Sequence, residues 1–161
     1  MAAIYIAPTR LDAACTFARV FQTASALLQA RLDTPGPVHL SAELQLTHVE
    51  DAYEAIVPED PFVWRKPTLE LLWVDVELPG TDPFSVMLRC EQFSSGAIAI
   101  ADIEEGCGRT LKSAELAEMR KSNTYWSIPL PKSASDVEAR THHVLAEAIA
   151  EVCGGCKYVQ E

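Results

Sequence analysis

Val38-His39-Leu40-Ser41-Ala42-Glu43-Leu44-Gln45-Leu46-Thr47 alternates apolar and polar side chains, apart from the small Ala42, without a break. A period of two with one wet face is the pattern of a strand in an antiparallel sheet, because successive side chains leave the pleated backbone on opposite sides. Val38, Leu40, Ala42, Leu44 and Leu46 are therefore expected to face a core, and His39, Ser41, Glu43, Gln45 and Thr47 to face water. The pattern returns downstream. Leu72, Val74, Val76 and Leu78 share one parity against Trp73, Asp75 and Glu77, and Phe84, Val86, Leu88 and Cys90 share one against Ser85, Arg89 and Glu91. Between these runs, Pro79-Gly80-Thr81-Asp82-Pro83 is a five-residue hairpin loop built of turn-forming residues. The apolar run from Ala97 to Ile103 reads as a fourth strand, reached through the short loop Ser94-Ser95-Gly96. Strands joined so tightly are antiparallel neighbours, and the stretch reads as a meander.

Helical periodicity flanks it on both sides. Ala3 to Ala7 is a short apolar strand stopped by Pro8, and Thr9 with Asp12 has the spacing of an N-terminal cap. Leu11, Ala14, Ala18, Phe21, Ser25, Leu28 and Leu32 then recur in steps of three and four, which lays one stripe along a helix ending at Asp33-Thr34-Pro35-Gly36-Pro37. Ser113 caps a short helix running to about Lys121, and Ser135 with Glu138 forms a capping box for a longer one. The stripe of that last helix is Val137, Thr141, Val144, Leu145, Ala148, Ile149 and Val152, closed by Gly154-Gly155, with Lys157-Tyr158-Val159 as a final edge strand. The expected fold is α+β. One domain over residues 1–161 holds an antiparallel meander sheet of about five strands, with an N-terminal and a C-terminal helix packed on one face.

Charge excludes one large class of partner. Thirteen Lys and Arg against 23 Asp and Glu give a formal charge of −10, the wrong sign for neutralising nucleic-acid phosphates. No apolar run approaches the roughly 20 residues that cross a bilayer, and Met1 to Arg10 lacks the basic and apolar regions of a secretory signal. Five cysteines, an odd number without an export signal, point to reduced thiols and a cytoplasmic location.

Candidate chemistry is sparse. Cys153-Gly154-Gly155-Cys156 is a C-x-x-C pair, but it follows a helix, where the carbonyl end of the dipole disfavours a thiolate. A zinc site needs four ligands, and neither a second C-x-x-C nor a suitably placed histidine pair accompanies this one. Gly106-Cys107-Gly108-Arg109-Thr110 reads as a strand-to-helix turn, lacking the glycine spacing of phosphate-binding loops. Asp102, Glu104 and Glu105 lack calcium-loop spacing, Ser94 lacks the glycine of a nucleophile elbow, and His39 and His48 have opposite strand parity. No catalytic residue, metal or cofactor is assigned.

The distribution of charge says more. Residues 43–105 hold 14 acidic and three basic side chains, so the whole negative excess lies in the sheet region. Glu43, Asp75, Glu77 and Glu91 take outward positions there; the plain alternative is that they keep the sheet soluble and guard its edges. The long connection from Glu50 to Pro67 adds Glu50, Asp51, Glu54, Glu59 and Asp60 interleaved with Tyr53, Phe62 and Trp64. Loops of this length inside a domain are often functional, and aromatic anchors among charges are what protein interfaces use. The alternative is that Phe62 and Trp64 fold back into the core. The partner-binding set is accordingly Glu50, Asp51, Tyr53, Glu54, Glu59, Asp60, Phe62, Trp64, Asp75 and Glu77, facing a basic protein and neither nucleic acid nor membrane.

In size, acidity and lack of catalytic residues the chain resembles the small immunity proteins that bacteria keep beside secreted toxins. That resemblance implies a cytoplasmic, non-enzymatic inhibitor that occludes a toxin's basic active site. Two other classes remain open: a small enzyme or ligand-binding domain with a pocket between helices and sheet, and a structural or adaptor subunit.

Overall fold

Each alternating run becomes a strand, and all the strands belong to one sheet. The computed structural model describes residues 3–8, 14–33, 36–45, 52–60, 70–92, 95–108, 110–119, 124–154 and 156–159. The strands are β1 (Ala3–Ala7), β2 (His39–Gln45), β3 (Tyr53–Ala55), β4 (Glu70–Glu77), β5 (Phe84–Gln92), β6 (Thr124–Pro129) and β7 (Cys156–Val159). They pair in the order β3-β2-β4-β5-β6-β1-β7, every neighbouring pair antiparallel. The α+β architecture is as expected, with seven strands in place of about five. β4, β5 and β6 are neighbours in chain order, but two helices intervene between β5 and β6, so the expected meander is interrupted there.

Parity survives intact in the register. Ala42 lies opposite Val74 and Val74 opposite Val86, so one face carries an unbroken apolar row. Thr81 N–H and hydroxyl both donate to Leu78 O across the β4–β5 turn, and Gly80 takes the positive φ of 81° that a side chain would resist.

Two long helices cover that inner face, α1 (Phe17–Leu32) and α4 (Asp136–Cys153). Phe17, Val20, Phe21, Ala24 and Leu28 of α1 are its buried positions. The buried side shares Phe21 and Leu28 with the expected stripe and otherwise lies about one residue from it, and the helix begins after Thr16, whose side chain caps it by accepting from Arg19 N–H at 3.2 Å. Thr9, Asp12 and Leu11 lie outside the described residues. The stripe of α4 stands as expected, with Val137 only partly buried. Ser135 Oγ accepts from Glu138 N–H at 3.2 Å, and Gly154 ends the helix in the left-handed conformation. Ser135→Ala is expected to cost about 0.5–2 kcal/mol, read as a lower denaturant midpoint with unchanged slope. Arg31 on α1 and Glu147 on α4 join the helices at the surface through paired contacts of 2.6 and 2.8 Å.

Two expectations are corrected. Residues 97–103 are not a strand but lie within α2 (Gly96–Cys107), capped by Ser95, whose hydroxyl accepts from Ile98 N–H. Residues 124–129, outside every element expected from the sequence, form β6, paired with both β5 and β1. With α3 (Ser113–Met119), α2 makes a second layer on the outer face. There Ala99, Ile103 and Leu111 bury against Ala7 and Tyr125 in a small separate core. The turn at Gly106–Gly108 thus ends a helix: Gly108, at φ 67°, caps α2 and the carbonyl end of its dipole faces outward, unsuited to an anion. No helix among the described residues is long and apolar enough to cross a membrane.

Candidate functional site

The outer face of the sheet is covered unequally. Helices α2 and α3 lie over β6, β1 and β7, while the outward side chains of β2 and β4 reach solvent. The register lays out that open half in rows. Glu43 is opposite Trp73, and Trp73 opposite Met87; Ser41, Asp75 and Ser85 form the next row; His39 and Glu77 the last. In the row on the other side, Tyr53, Gln45, Leu71 and Arg89 are neighbours across four strands. The half-buried Trp73 and Met87 therefore sit beside exposed Glu43, with Asp75 and Glu77 following at about 7 Å per pair of residues along β4.

Cross-strand hydrogen bonds hold two of these groups in place. Trp73 Nε1–H donates to Gln45 Oε1 at 2.9 Å, and Ser85 Oγ–H donates to Asp75 Oδ1 at 2.6 Å. Glu43, Glu77 and the second oxygen of Asp75 have no hydrogen-bond or ion-pair partner among the described residues. Tyr53 at the sheet edge is 48% exposed and Val57, just beyond it, 55%.

The expected binding set is divided by this geometry. Tyr53, Asp75 and Glu77 share the outer face. Glu54 has the opposite parity, facing Leu44 at the edge. Glu59 and Asp60 lie on the turn after β3, which docks in the helix layer: Pro58 O accepts from Ala18 N–H at 2.8 Å. Acids near the N-terminal end of α1 have a structural use of their own, since the helix dipole favours negative charge there. Glu50, Asp51, Phe62 and Trp64 lie outside the described residues. Glu43, Trp73 and Met87, which the loop-centred reading left out of the set, are what the register adds. Their signal was present in the alternation, since Trp73 and Met87 are large side chains at outward positions.

A second polar cluster lies where α2 meets the sheet. Tyr125 of β6 is only 3% exposed, and its hydroxyl sits 2.7 Å from Glu91 Oε2 and 2.5 Å from Asp102 Oδ2. Burial, reinforced by the bonds to Asp102 and then Glu91, pushes the phenol well above its ordinary ionisation range. Trp126, on the opposite side of the strand, stacks edge-on against Phe17 in the main core. Neither aromatic is available to a partner in this fold.

Between the long helices and the sheet, Phe17, Val20, Phe21, Val74, Val86, Leu88, Ile128, Leu145 and Ile149 line an apolar cavity of about 10 Å³. That is room for a single water at most, and an apolar lining gives a water no partners. As folded, this space admits no metabolite. Cys153 is buried at the end of α4, and Cys156 begins β7 opposite Ala7. No group of three or more metal-ligating side chains converges among the described residues.

No protein family, curated protein or solved structure matches the chain. Its own surface chemistry must carry the functional argument, and the open half of the outer face is the feature with chemistry to spend.

Proposed function

We propose that this chain is a non-enzymatic, acidic protein-binding domain of the bacterial immunity type. In this reading it stays in the cytoplasm and neutralises a cognate toxin by laying the open half of its sheet over a basic active site. The observation that supports it is the concentration of carboxylates without a cationic partner on Glu43, Asp75 and Glu77 around half-buried Trp73 and Met87, on a part of the sheet that no helix covers among the described residues. Unpaired acids raise the encounter rate with a cationic cleft, and desolvated aromatics slow its departure. A nuclease or nucleotide-handling toxin suits such a surface, because a cleft that attracts phosphate also attracts carboxylates.

Affinity capture from the native organism with wild-type protein and with Glu43→Lys/Asp75→Lys/Glu77→Lys tests this, both proteins first matched in thermal stability. The wild type is expected to hold a basic protein whose association slows steeply with salt, and equimolar addition is expected to abolish that protein's activity. The triple variant is expected to lose at least about tenfold in association rate. A partner held equally by both proteins, or one whose activity survives complex formation, overturns the reading.

A further inference from the structure

We infer that the open face recognises arginine side chains of a protein partner, one guanidinium lying against Trp73 between the carboxylates of Glu43 and Asp75. The inference rests on the binding reading above and names the chemistry that reading leaves open. The register puts Glu43 directly across from Trp73, and Asp75 next to it on the same face of the same strand. Glu43 and Asp75 are thus diagonal neighbours, about 7 Å apart at the backbone, and Trp73 adjoins each of them in the register. A guanidinium fits such a gap because it is planar. It can lie on an aromatic face and still direct paired N–H donors at a carboxylate on either edge.

Lysine fits less well. Its ammonium is a strongly hydrated point charge that gains little from an indole face and cannot donate two parallel bonds to one carboxylate. Phosphate-bearing partners are repelled by the same acids.

Two features mark the surface as prepared for a ligand. Trp73 is anchored through Gln45 and Asp75 through Ser85, so neither has to be ordered on binding. Glu43, Glu77 and Asp75 Oδ2, by contrast, have no cationic partner among the described residues. Among the described residues, the basic groups sharing this face are the His39 imidazole, across from Glu77, and Arg89, two strands from Glu43. An uncompensated file of carboxylates beside an anchored indole is complementary to a cation that also stacks.

The test uses the intact, ¹⁵N-labelled protein at low salt and two capped peptides of equal charge, one carrying arginines and the other lysines in the same places. The arginine peptide is expected to shift the indole N–H resonance of Trp73 and the amides of Glu43 and Asp75. It should bind roughly fivefold more tightly than the lysine peptide. Glu43→Gln/Asp75→Asn should weaken it by roughly tenfold; the titration of wild-type protein stands without that variant should it fold poorly. Equal affinity for the two peptides overturns the inference, as does a shift pattern centred elsewhere or none into the millimolar range. A wild-type protein that ignores both peptides yet holds its captured basic partner in a salt-dependent way would remove arginine recognition and leave the binding reading standing. Titration of this face by the arginine peptide, with no basic partner held, would do the reverse.

Discussion

Leu145→Ala is expected to lower the unfolding free energy by about 2–5 kcal/mol, the range for deleting a buried leucine side chain. Leu145 is 2% exposed and stands at the centre of the layer between α1, α4 and the sheet. Its position argues for the upper half of that range. The side chain already lines the small apolar cavity with Phe17, Phe21, Val74 and Ile149, so truncation enlarges a void rather than opening a new one. Collapse into it is resisted on both sides. The sheet is held by ladders on either edge of β4 and β5, and α4 is braced against α1. Equilibrium denaturation should show a lower midpoint with an unchanged slope. A midpoint that does not move would mean that this face of α4 does not meet the sheet.

Legibility followed the number of wet faces. The parity of β2, β4 and β5 was readable because one side of each meets water for much of its length, leaving polar residues to mark the pleat. Thr124–Pro129 has the same alternation, Trp126 and Ile128 inward against Tyr125 and Ser127 outward, but α2 covers the outward side. With aromatics on both faces the run does not look amphipathic, and a proline at its end resembles a loop. Ala97–Ile103 failed for the complementary reason. A short continuous apolar run has no period to measure, and only length and caps separate strand from helix. Ser95, read as a hairpin residue, is the N-cap that decides the matter, and Ala99 with Ile103 four residues on is the buried side of a helix. The last helix was legible to its ends because capping box, stripe and terminal glycine all agreed.

The binding set was half legible. Outward parity found Asp75 and Glu77, but sequence proximity grouped them with Glu59 and Asp60, which the turn carries to the N-terminal end of α1. Crossing from β3 to β4 takes the chain from one side of β2 to the other, so neighbours in the loop need not be neighbours on the surface. Strand pairing does the reverse. It brings Glu43 to Trp73 from 30 positions away, a juxtaposition no spacing in the sequence announces. The two layers of helix then decide which part of the outer face is left for a partner. Covering β6 and β1 with α2 and α3 leaves β2, β4, the adjoining part of β5 and the edge at β3 as the accessible chemistry of this face among the described residues.

That division makes the junction between α2 and the sheet the second place where one side chain matters most. Tyr125→Phe is expected to cost about 1–3 kcal/mol at neutral pH, although it removes a single oxygen. The phenol lies between Glu91 and Asp102, its ring edge-on to Tyr5 and packed on Ala99 and Ile103. Phenylalanine keeps the packing but leaves two carboxylates with no donor between them, so the loss is electrostatic. The pH dependence separates this from a packing defect. Tyr125 is held neutral in the fold, its ionisation raised above the ordinary value of 10.0. A raised tyrosine contributes stability that is fully present below about pH 10 and lost as pH rises through the folded-state value, because the unfolded phenol gives up its proton first. The loss should proceed at up to about 1.4 kcal/mol per pH unit. Tyr125→Phe has no such group, so the gap between wild type and variant should be constant from pH 7 to 9 and close steadily above 10. Urea unfolding of both proteins across that range reads it directly. A gap that persists unchanged to pH 11 would show that the phenol ionises as freely in the fold as out of it, and the bridge between β5, β6 and α2 would not hold the second layer in place.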